Sequence, residues 1–229
     1  MPSSICERFE EVLQRITRAA EASRRDPGAV TLIAVGKTFP AETVRQAVAA
    51  GALDLGENRV QEAVAKKPHV TGARWHLIGP LQRNKARAAL EVFDVVHTVD
   101  RTEIADRLQF LLGEHWSGRK LPVLVEINIG REPQKAGALP EEAGELLGHV
   151  LGCDRLDVRG LMAIPPWADE AEASRPHFKN LRELRDRLQD QSGAPLPELS
   201  MGMSHDFEIA IAEGATMVRV GTAIFGPRG

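Results

Sequence analysis

Ile5, Phe9, Val12, Leu13, Ile16 and Ala20 recur at spacings of three and four, the stripe of an amphipathic helix. Ser4 and Glu7 stand ahead of it as Ser-x-x-Glu, a capping box in which each side chain accepts the other residue's backbone N–H. Asp26-Pro27-Gly28 ends that helix. The pattern then changes. Residues 30–35 are a mostly apolar run without clean alternation, as in a parallel strand buried on both faces. Pro40 opens the next helix and Gly51 follows its end. Further strand-like runs lie near 52–55, 74–78, 94–99, 121–129, 156–163, 198–202 and 216–220, eight in all with the first. Helical stretches fall between them near 57–67, 83–91, 101–112, 140–151, 171–190 and 205–213. In the stretch 171–190, Phe178, Leu181, Leu184 and Leu188 share one side and charged residues cover the other, a solvated outer face.

Eight strands with a helix after nearly every one predict an α/β fold, a closed (β/α)8 TIM barrel preceded by one extra helix. The alternative is an open doubly wound sheet, but no G-x-G-x-x-G follows the first strand. No linker or shift in composition interrupts the chain, so residues 1–229 are expected to form one domain.

Composition acts chiefly by exclusion. The chain is 43% hydrophobic and 27% charged, ordinary for a folded protein. A net charge of −3 gives no general footprint for a phosphate backbone, so no nucleic-acid partner is expected. Cys6 and Cys153 cannot build a disulfide framework. The N-terminus has neither a secretory nor a transit pattern, and no apolar run approaches the ~20 residues of a membrane span. These features predict a cytoplasmic protein without membrane contact. The histidines show no H-x-H and no H-E-x-x-H, so no metal is expected. Arg83, Lys85 and Arg87 read as a solvated helix face. The chain contains no tyrosine.

A barrel of this kind carries its chemistry at the C-terminal ends of its strands. Those ends hold Gly36-Lys37-Thr38, Gly56-Glu57-Asn58, Trp75-His76-Leu77-Ile78-Gly79, Asn128, Met162-Ala163, Ser200-Met201-Gly202-Met203-Ser204 and Arg219-Val220-Gly221-Thr222. Lys37 has two readings. In a partly apolar site its amine loses protons readily and can form a Schiff base. On a rim, its stem packs while its head reaches water. The small residues Gly202, Ser204, Gly221 and Thr222 flank the last two strands, where barrels often bind phosphate, with 222–225 as the accompanying short helix. The plainer reading is tight turns. Gly36-Lys37-Thr38 is not a phosphate loop, because Thr31 stands where that motif needs its first glycine. Ser204-His205-Asp206 is not a catalytic relay, because adjacent side chains cannot point into one. A Schiff-base lysine facing a phosphate site suggests pyridoxal 5′-phosphate held at both ends.

Six segments, in order, resemble the pyridoxal phosphate homeostasis protein family. They are Leu32-Ile33-Ala34-Val35-Gly36-Lys37-Thr38, Gly56-Glu57-Asn58-Arg59-Val60-Gln61-Glu62, Trp75-His76-Leu77-Ile78-Gly79-Pro80-Leu81-Gln82, Arg159-Gly160-Leu161-Met162-Ala163-Ile164-Pro165, Ser200-Met201-Gly202-Met203-Ser204-His205-Asp206 and Val218-Arg219-Val220-Gly221-Thr222-Ala223-Ile224-Phe225-Gly226. The resemblance implies a barrel similar to that of bacterial alanine racemase and eukaryotic ornithine decarboxylase, binding the cofactor without turnover of its own. It implies Lys37 as the aldimine lysine, Ser204, Gly221 and Thr222 as phosphate ligands, and Arg219 against the pyridine nitrogen. Asn58, His76 and Met203 complete the implied cofactor site. The chain departs from the family at Gly36, where serine is common, at Arg59, where tyrosine is frequent, and around Lys135-x-Gly137. These departures bear on partner contacts and cofactor exchange. A guanidinium cannot accept a hydrogen bond, so Arg219 favours an unprotonated ring nitrogen, a weak electron sink. The other reading of Arg219 is a surface ion pair.

The expected function is non-catalytic: a monomer that holds pyridoxal phosphate on Lys37, buffers a reactive aldehyde and supplies pyridoxal-phosphate-dependent apo-enzymes. The rival is a catalytic racemase or decarboxylase that uses the same cofactor. Against it stand the missing tyrosine and a chain end just after the eighth strand, without room for a second domain. A third reading, an aldolase-like lysine enzyme, needs a carboxylate or second lysine beside Lys37, which the sequence alone does not place.

Overall fold

The structure, a computed structural model, describes residues 4–227; the first three and last two residues lie outside it. Helix α1 (Ile5–Ala22) opens with the capping box: Ser4 Oγ accepts from the Glu7 N–H, and Glu7 accepts from the Ser4 N–H. Its buried stripe is Ile5, Phe9, Val12, Ile16 and Ala20. Leu13 belongs to the predicted stripe but is 42% exposed, because it lies one helical step off the line through Val12 and Ile16.

Eight parallel strands then close on themselves in sequence order: β1 (Thr31–Val35), β2 (Asp54–Glu57), β3 (Arg74–Leu77), β4 (Val95–Val99), β5 (Leu121–Ile127), β6 (Leu156–Ala163), β7 (Glu198–Met203) and β8 (Met217–Val220). Closure is made by β8 against β1, with Thr31 opposite Met217 and Ala34 opposite Val220. Helices α2 (Ala41–Ala49), α3 (Val60–Lys66), α4 (Ala86–Val92), α5 (Thr102–His115), α6 (Ala143–Leu151), α7 (Arg175–Ser192) and α8 (Phe207–Ala212) lie between successive strands. A last short helix, α9 (Thr222–Phe225), follows β8 at the predicted place. The expected (β/α)8 barrel with an extra N-terminal helix is the observed fold. Helix α1 packs beside α8 and α9, where Arg15 pairs with Glu208 at 2.7 Å and Arg8 donates to the Ile224 carbonyl at 2.6 Å.

Strand β2 begins two residues later than predicted, because the Ala52 N–H closes the end of α2 on the Ala47 carbonyl. The stretch 83–91 begins as a 3-10 turn, Arg83–Lys85, before α4.

The two faces of the barrel wall differ. Outward residues such as Leu32, Leu55, Trp75, Leu77, Val123 and Leu199 join the helices in one apolar core. Inside, Val95, Leu124 and Met162 make a small separate cluster, and much of the remaining filling is polar. Asp54, His76, His97, Glu126, Ser200 and Arg219 are all buried. Apolar branched side chains usually fill such a barrel.

Glu126 is the strongest case. Its Oε2 is buried without a hydrogen-bond partner. Burial, and the nearby Asp100, push its carboxyl up to about 7 against the pull of Arg219. A carboxyl whose folded pKa is raised favours folding below its ordinary pKa of 4.5, and that contribution is lost as pH rises through about 7. Glu126→Gln is therefore expected to leave the urea midpoint nearly unchanged at pH 4.5 and to stabilise at pH 8 by on the order of 2 kcal/mol. Equal effects at both pH values would contradict the assignment.

Candidate functional site

The C-terminal mouth of the barrel holds a cavity of about 380 Å³. Val35, Ile78, Ile164, Met203 and Trp167 give it apolar walls. Lys37, Asn58, Ser204, His205, Arg219, Gly221 and Thr222 give it polar ones. Seven of the eight predicted cofactor residues are thus brought together: Lys37, Asn58, Met203, Ser204, Arg219, Gly221 and Thr222. His76 is not.

The exception follows from strand geometry. Side chains on one face of a strand repeat every two residues. Ile78 stands two residues beyond His76 and takes the place at the cavity, leaving His76 a layer deeper and fully buried. There it bonds Asp54 and His97 across the barrel. The expectation that His76 lines the cofactor face is corrected accordingly.

The turn bearing Lys37 is held in a costly conformation. Thr38 has φ 70°, a left-handed conformation unusual for a β-branched residue. Its N–H donates to Glu62 Oε2 on α3 at 2.9 Å, and the Phe39 N–H closes the turn on the Gly36 carbonyl. The Phe39 ring stacks on Phe225 of α9, 5.2 Å between centroids, so the lysine turn and the helix after β8 are braced against each other.

Behind that turn lies a pair the sequence did not reveal. Lys66 Nζ on α3 donates to Glu57 Oε1 at 2.6 Å and to the Gly36 carbonyl at 2.9 Å. Burial pushes the Glu57 carboxyl up to about 7, against the pull of Lys66 and, more weakly, of Lys37. A carboxylate and a second lysine therefore stand near Lys37, although neither is among the residues lining the cavity. The sequence signal was slight: Glu57 sits in the Gly-Glu-Asn segment, and Lys66 lies four residues after Glu62.

On the far side, Arg219 is 3% exposed, which rules out the surface ion pair. Its Nη1 donates to the Ser200 carbonyl at 2.7 Å and to Ser200 Oγ at 2.6 Å, and its Nη2 donates to the Ala163 carbonyl at 2.9 Å. Burial lowers the guanidinium pKa to about 10, so it stays charged at neutral pH. Ser204 Oγ accepts from the backbone N–H groups of Gly221 at 3.1 Å and Ala223 at 3.4 Å. Asp206 accepts from the Met203 N–H at 2.7 Å, so Ser204-His205-Asp206 is not a relay. His205 instead packs its ring on Trp167, 5.1 Å between centroids, at the lip of the cavity.

Two glycines make this geometry possible. A Cβ at Gly79 would lie 2.3 Å from the Asn58 carbonyl oxygen, so only glycine lets the segment after β3 pass this close to Asn58. Gly202 has φ +91°, and a Cβ there would lie 2.5 Å from that of Ala210 on α8. Asn128 shapes the loop after β5 instead, where its side chain bonds the Glu132 backbone in both directions.

Far from the mouth, Asp106, His149 and Cys153 bring three metal-ligating side chains within 4.8 Å of one another, a grouping the histidine spacing did not signal. Asp106 on α5 and His149 on α6 are exposed while Cys153, past the end of α6, is buried, and His149 Nε2 is already hydrogen-bonded to Asp106 at 2.7 Å.

Taken as a donor set, the cavity offers an amine, an amide, a guanidinium, two hydroxyls and backbone N–H groups on apolar walls. That set fits a flat, phosphorylated aldehyde ring: the amine for the aldehyde, the hydroxyls and amides for the phosphate, the walls for the ring faces.

Comparison with known proteins agrees. The family described as alanine racemase, N-terminal domain, matches residues 9–229. A protein of Aquifex aeolicus called pyridoxal phosphate homeostasis protein is 43% identical over 97% of this chain and 98% of its own. One of Pseudomonas aeruginosa with the same name is 46% identical over 99% and 96%. The structure of PipY of Synechococcus elongatus with pyridoxal phosphate bound superposes with a TM-score of 0.81 at 40% identity, over 93% of this chain and all of that one. On its barrel, its site and these relationships, the chain belongs to the pyridoxal phosphate homeostasis protein family.

Proposed function

We propose that this protein holds pyridoxal 5′-phosphate in the barrel mouth and serves intracellular homeostasis of the cofactor without turnover of its own. One observation carries the reading: Lys37, Arg219 and the group Ser204, Gly221 and Thr222 line the same cavity. The relatives named for this role, and the cofactor in the PipY structure, support it. When bound, the cofactor supplies a reactive aldehyde and a ring able to delocalise charge.

The chain's own residues do the rest. Lys37 is the covalent anchor. Ser204 and Thr222 give hydroxyls to the phosphate, and Gly221 gives close backbone approach. Val35, Ile78, Ile164 and Met203 cover the ring, and Asn58 bonds its edge. Arg219 presents donors only, so the ring nitrogen facing it stays unprotonated and withdraws electrons weakly. The chain has no tyrosine to serve as the acid–base partner opposite Lys37. Trp167 at the lip is 72% exposed, so the mouth is open to water and to a receiving protein. Transfer to pyridoxal-phosphate-dependent apo-enzymes, by a cytoplasmic monomer, completes the proposal. Among the described residues no helix is long and apolar enough to cross a membrane.

A second reading gains one observation. The Glu57–Lys66 pair supplies the carboxylate and second lysine that an aldolase-like Lys37 would need. Their place behind Gly36, outside the cavity lining, favours a supporting role for them in cofactor holding.

Two outcomes follow. Ser204→Ala and Thr222→Ala are each expected to weaken pyridoxal phosphate by roughly 10- to 150-fold, the loss of one charge-assisted hydrogen bond, while pyridoxal changes little. Equal weakening of both ligands by fluorescence titration would contradict the phosphate assignment. The loaded protein, incubated with a panel of L-amino acids, is expected to change neither chirality nor carbon dioxide release beyond free cofactor. A kcat in the usual enzymatic range of about 1–1000 per second would overturn the non-catalytic reading.

A further inference from the structure

Inside the barrel, below the cavity, an unbroken hydrogen-bonded string runs across five strands. Arg219 Nη1 on β8 meets Ser200 Oγ on β7 at 2.6 Å. Ser200 Oγ meets His97 Nδ1 on β4 at 2.9 Å. His97 Nε2 meets His76 Nδ1 on β3 at 2.8 Å. His76 Nε2 meets Asp54 Oδ1 on β2 at 2.7 Å. At its far end Arg74 Nε donates to the same Asp54 oxygen at 2.6 Å. His76, His97 and Ser200 are fully buried.

The chemistry of the groups fixes both ends of the string, and a neutral His76 sets the direction between them. Arg219 can only donate, so Ser200 Oγ accepts there and keeps its own hydrogen for another partner. Ionised Asp54 can only accept, so His76 Nε2 carries a hydrogen. A neutral His76 then accepts at Nδ1, which requires His97 to carry its hydrogen on Nε2. His97 Nδ1 is left as the acceptor for the Ser200 hydroxyl. In this arrangement each contact has one donor and one acceptor. The opposite direction would need a doubly protonated His76. Burial, with the neighbouring cations Arg219 and Arg74, drives the His97 pKa well below its usual value. At Asp54, burial raises the pKa, but hydrogen bonds from His76 and Arg74 outweigh it and hold the group ionised.

The string matters because of where it ends. Among the described residues, Ser200 and Ala163 engage three of the five Arg219 N–H groups from below, while the residue itself lines the cavity. Unpaired, such buried polar groups are costly; fully paired, they fix one geometry. We propose that Asp54, His76, His97 and Ser200 are positioning residues for Arg219, a one-directional string with both imidazoles neutral and protonated on Nε2, which holds the guanidinium against the cofactor ring. The inference rests on the cofactor reading above, and its first test does not.

That test is nitrogen-15 NMR of the histidine-labelled protein without cofactor at pH 7.5, with His97→Gln and Ser200→Ala to assign the signals. Both His76 and His97 should show the Nε2–H tautomer. An Nδ1–H tautomer or an imidazolium at either position would overturn the string. The second test uses pyridoxal phosphate labelled at the ring nitrogen. His97→Phe and Ser200→Ala should both shift that nitrogen's resonance and weaken binding about 10-fold. His97→Gln, whose amide can accept from Ser200 and donate to His76, should restore much of both. An unshifted ring nitrogen in folded Ser200→Ala and His97→Phe would overturn the positioning role. No binding by the unmodified protein would overturn the cofactor reading, while the tautomers judge the string separately.

Discussion

An unpaired guanidinium inside a protein costs several kcal/mol, and this barrel buries a guanidinium on its eighth strand. Arg219 keeps its charge because two backbone carbonyls and the Ser200 hydroxyl meet it, with the acids Glu126 and Asp206 close by. That requirement shapes the interior. Ser200 needs a partner for its hydrogen, His97 supplies it, and each histidine passes the demand to the next strand until Asp54 ends it. A barrel filled with branched apolar side chains could not hold Arg219 at this depth. The polar filling is the structural condition for a cation at the cavity floor.

The mouth is built by a second set of constraints. The turn after β1 holds Thr38 left-handed, and Glu62 and the Gly36 carbonyl keep it there. Phe39 against Phe225 then links the lysine end of the cavity to the helix at its other end. Lys66 grips Glu57 and Gly36 from behind. The amine and the hydroxyls are thus placed by packing that does not itself enter the cavity, an arrangement suited to holding a ligand at two points.

Much of this was legible in the chain. The uninterrupted apolar runs identify parallel strands because both faces of a barrel strand are covered, and Ser4 with Glu7 marks the first helix start. Strand ends could be read closely enough to place Lys37, Arg219 and the small residues after the last two strands. What escaped depends on contacts between distant strands. Nothing near His76 in the sequence shows that Asp54, His97 and Ser200 converge on it, and a one-layer error moved it into the cavity in place of Ile78. Leu13 shows the same limit in a helix: an apolar residue one step off the stripe counts toward a pattern but not toward the core. Trp167 and His205 meet only because loops after different strands fold together over the mouth.

The central claim is that Lys37, and not its buried neighbour Lys66, carries the cofactor. The direct measurement is to load the protein with pyridoxal phosphate, reduce with borohydride and map the modified peptide by mass spectrometry. The account predicts one reduced adduct on Lys37, absent from Lys37→Ala. An adduct on Lys66, or one that survives Lys37→Ala in full yield, would contradict it.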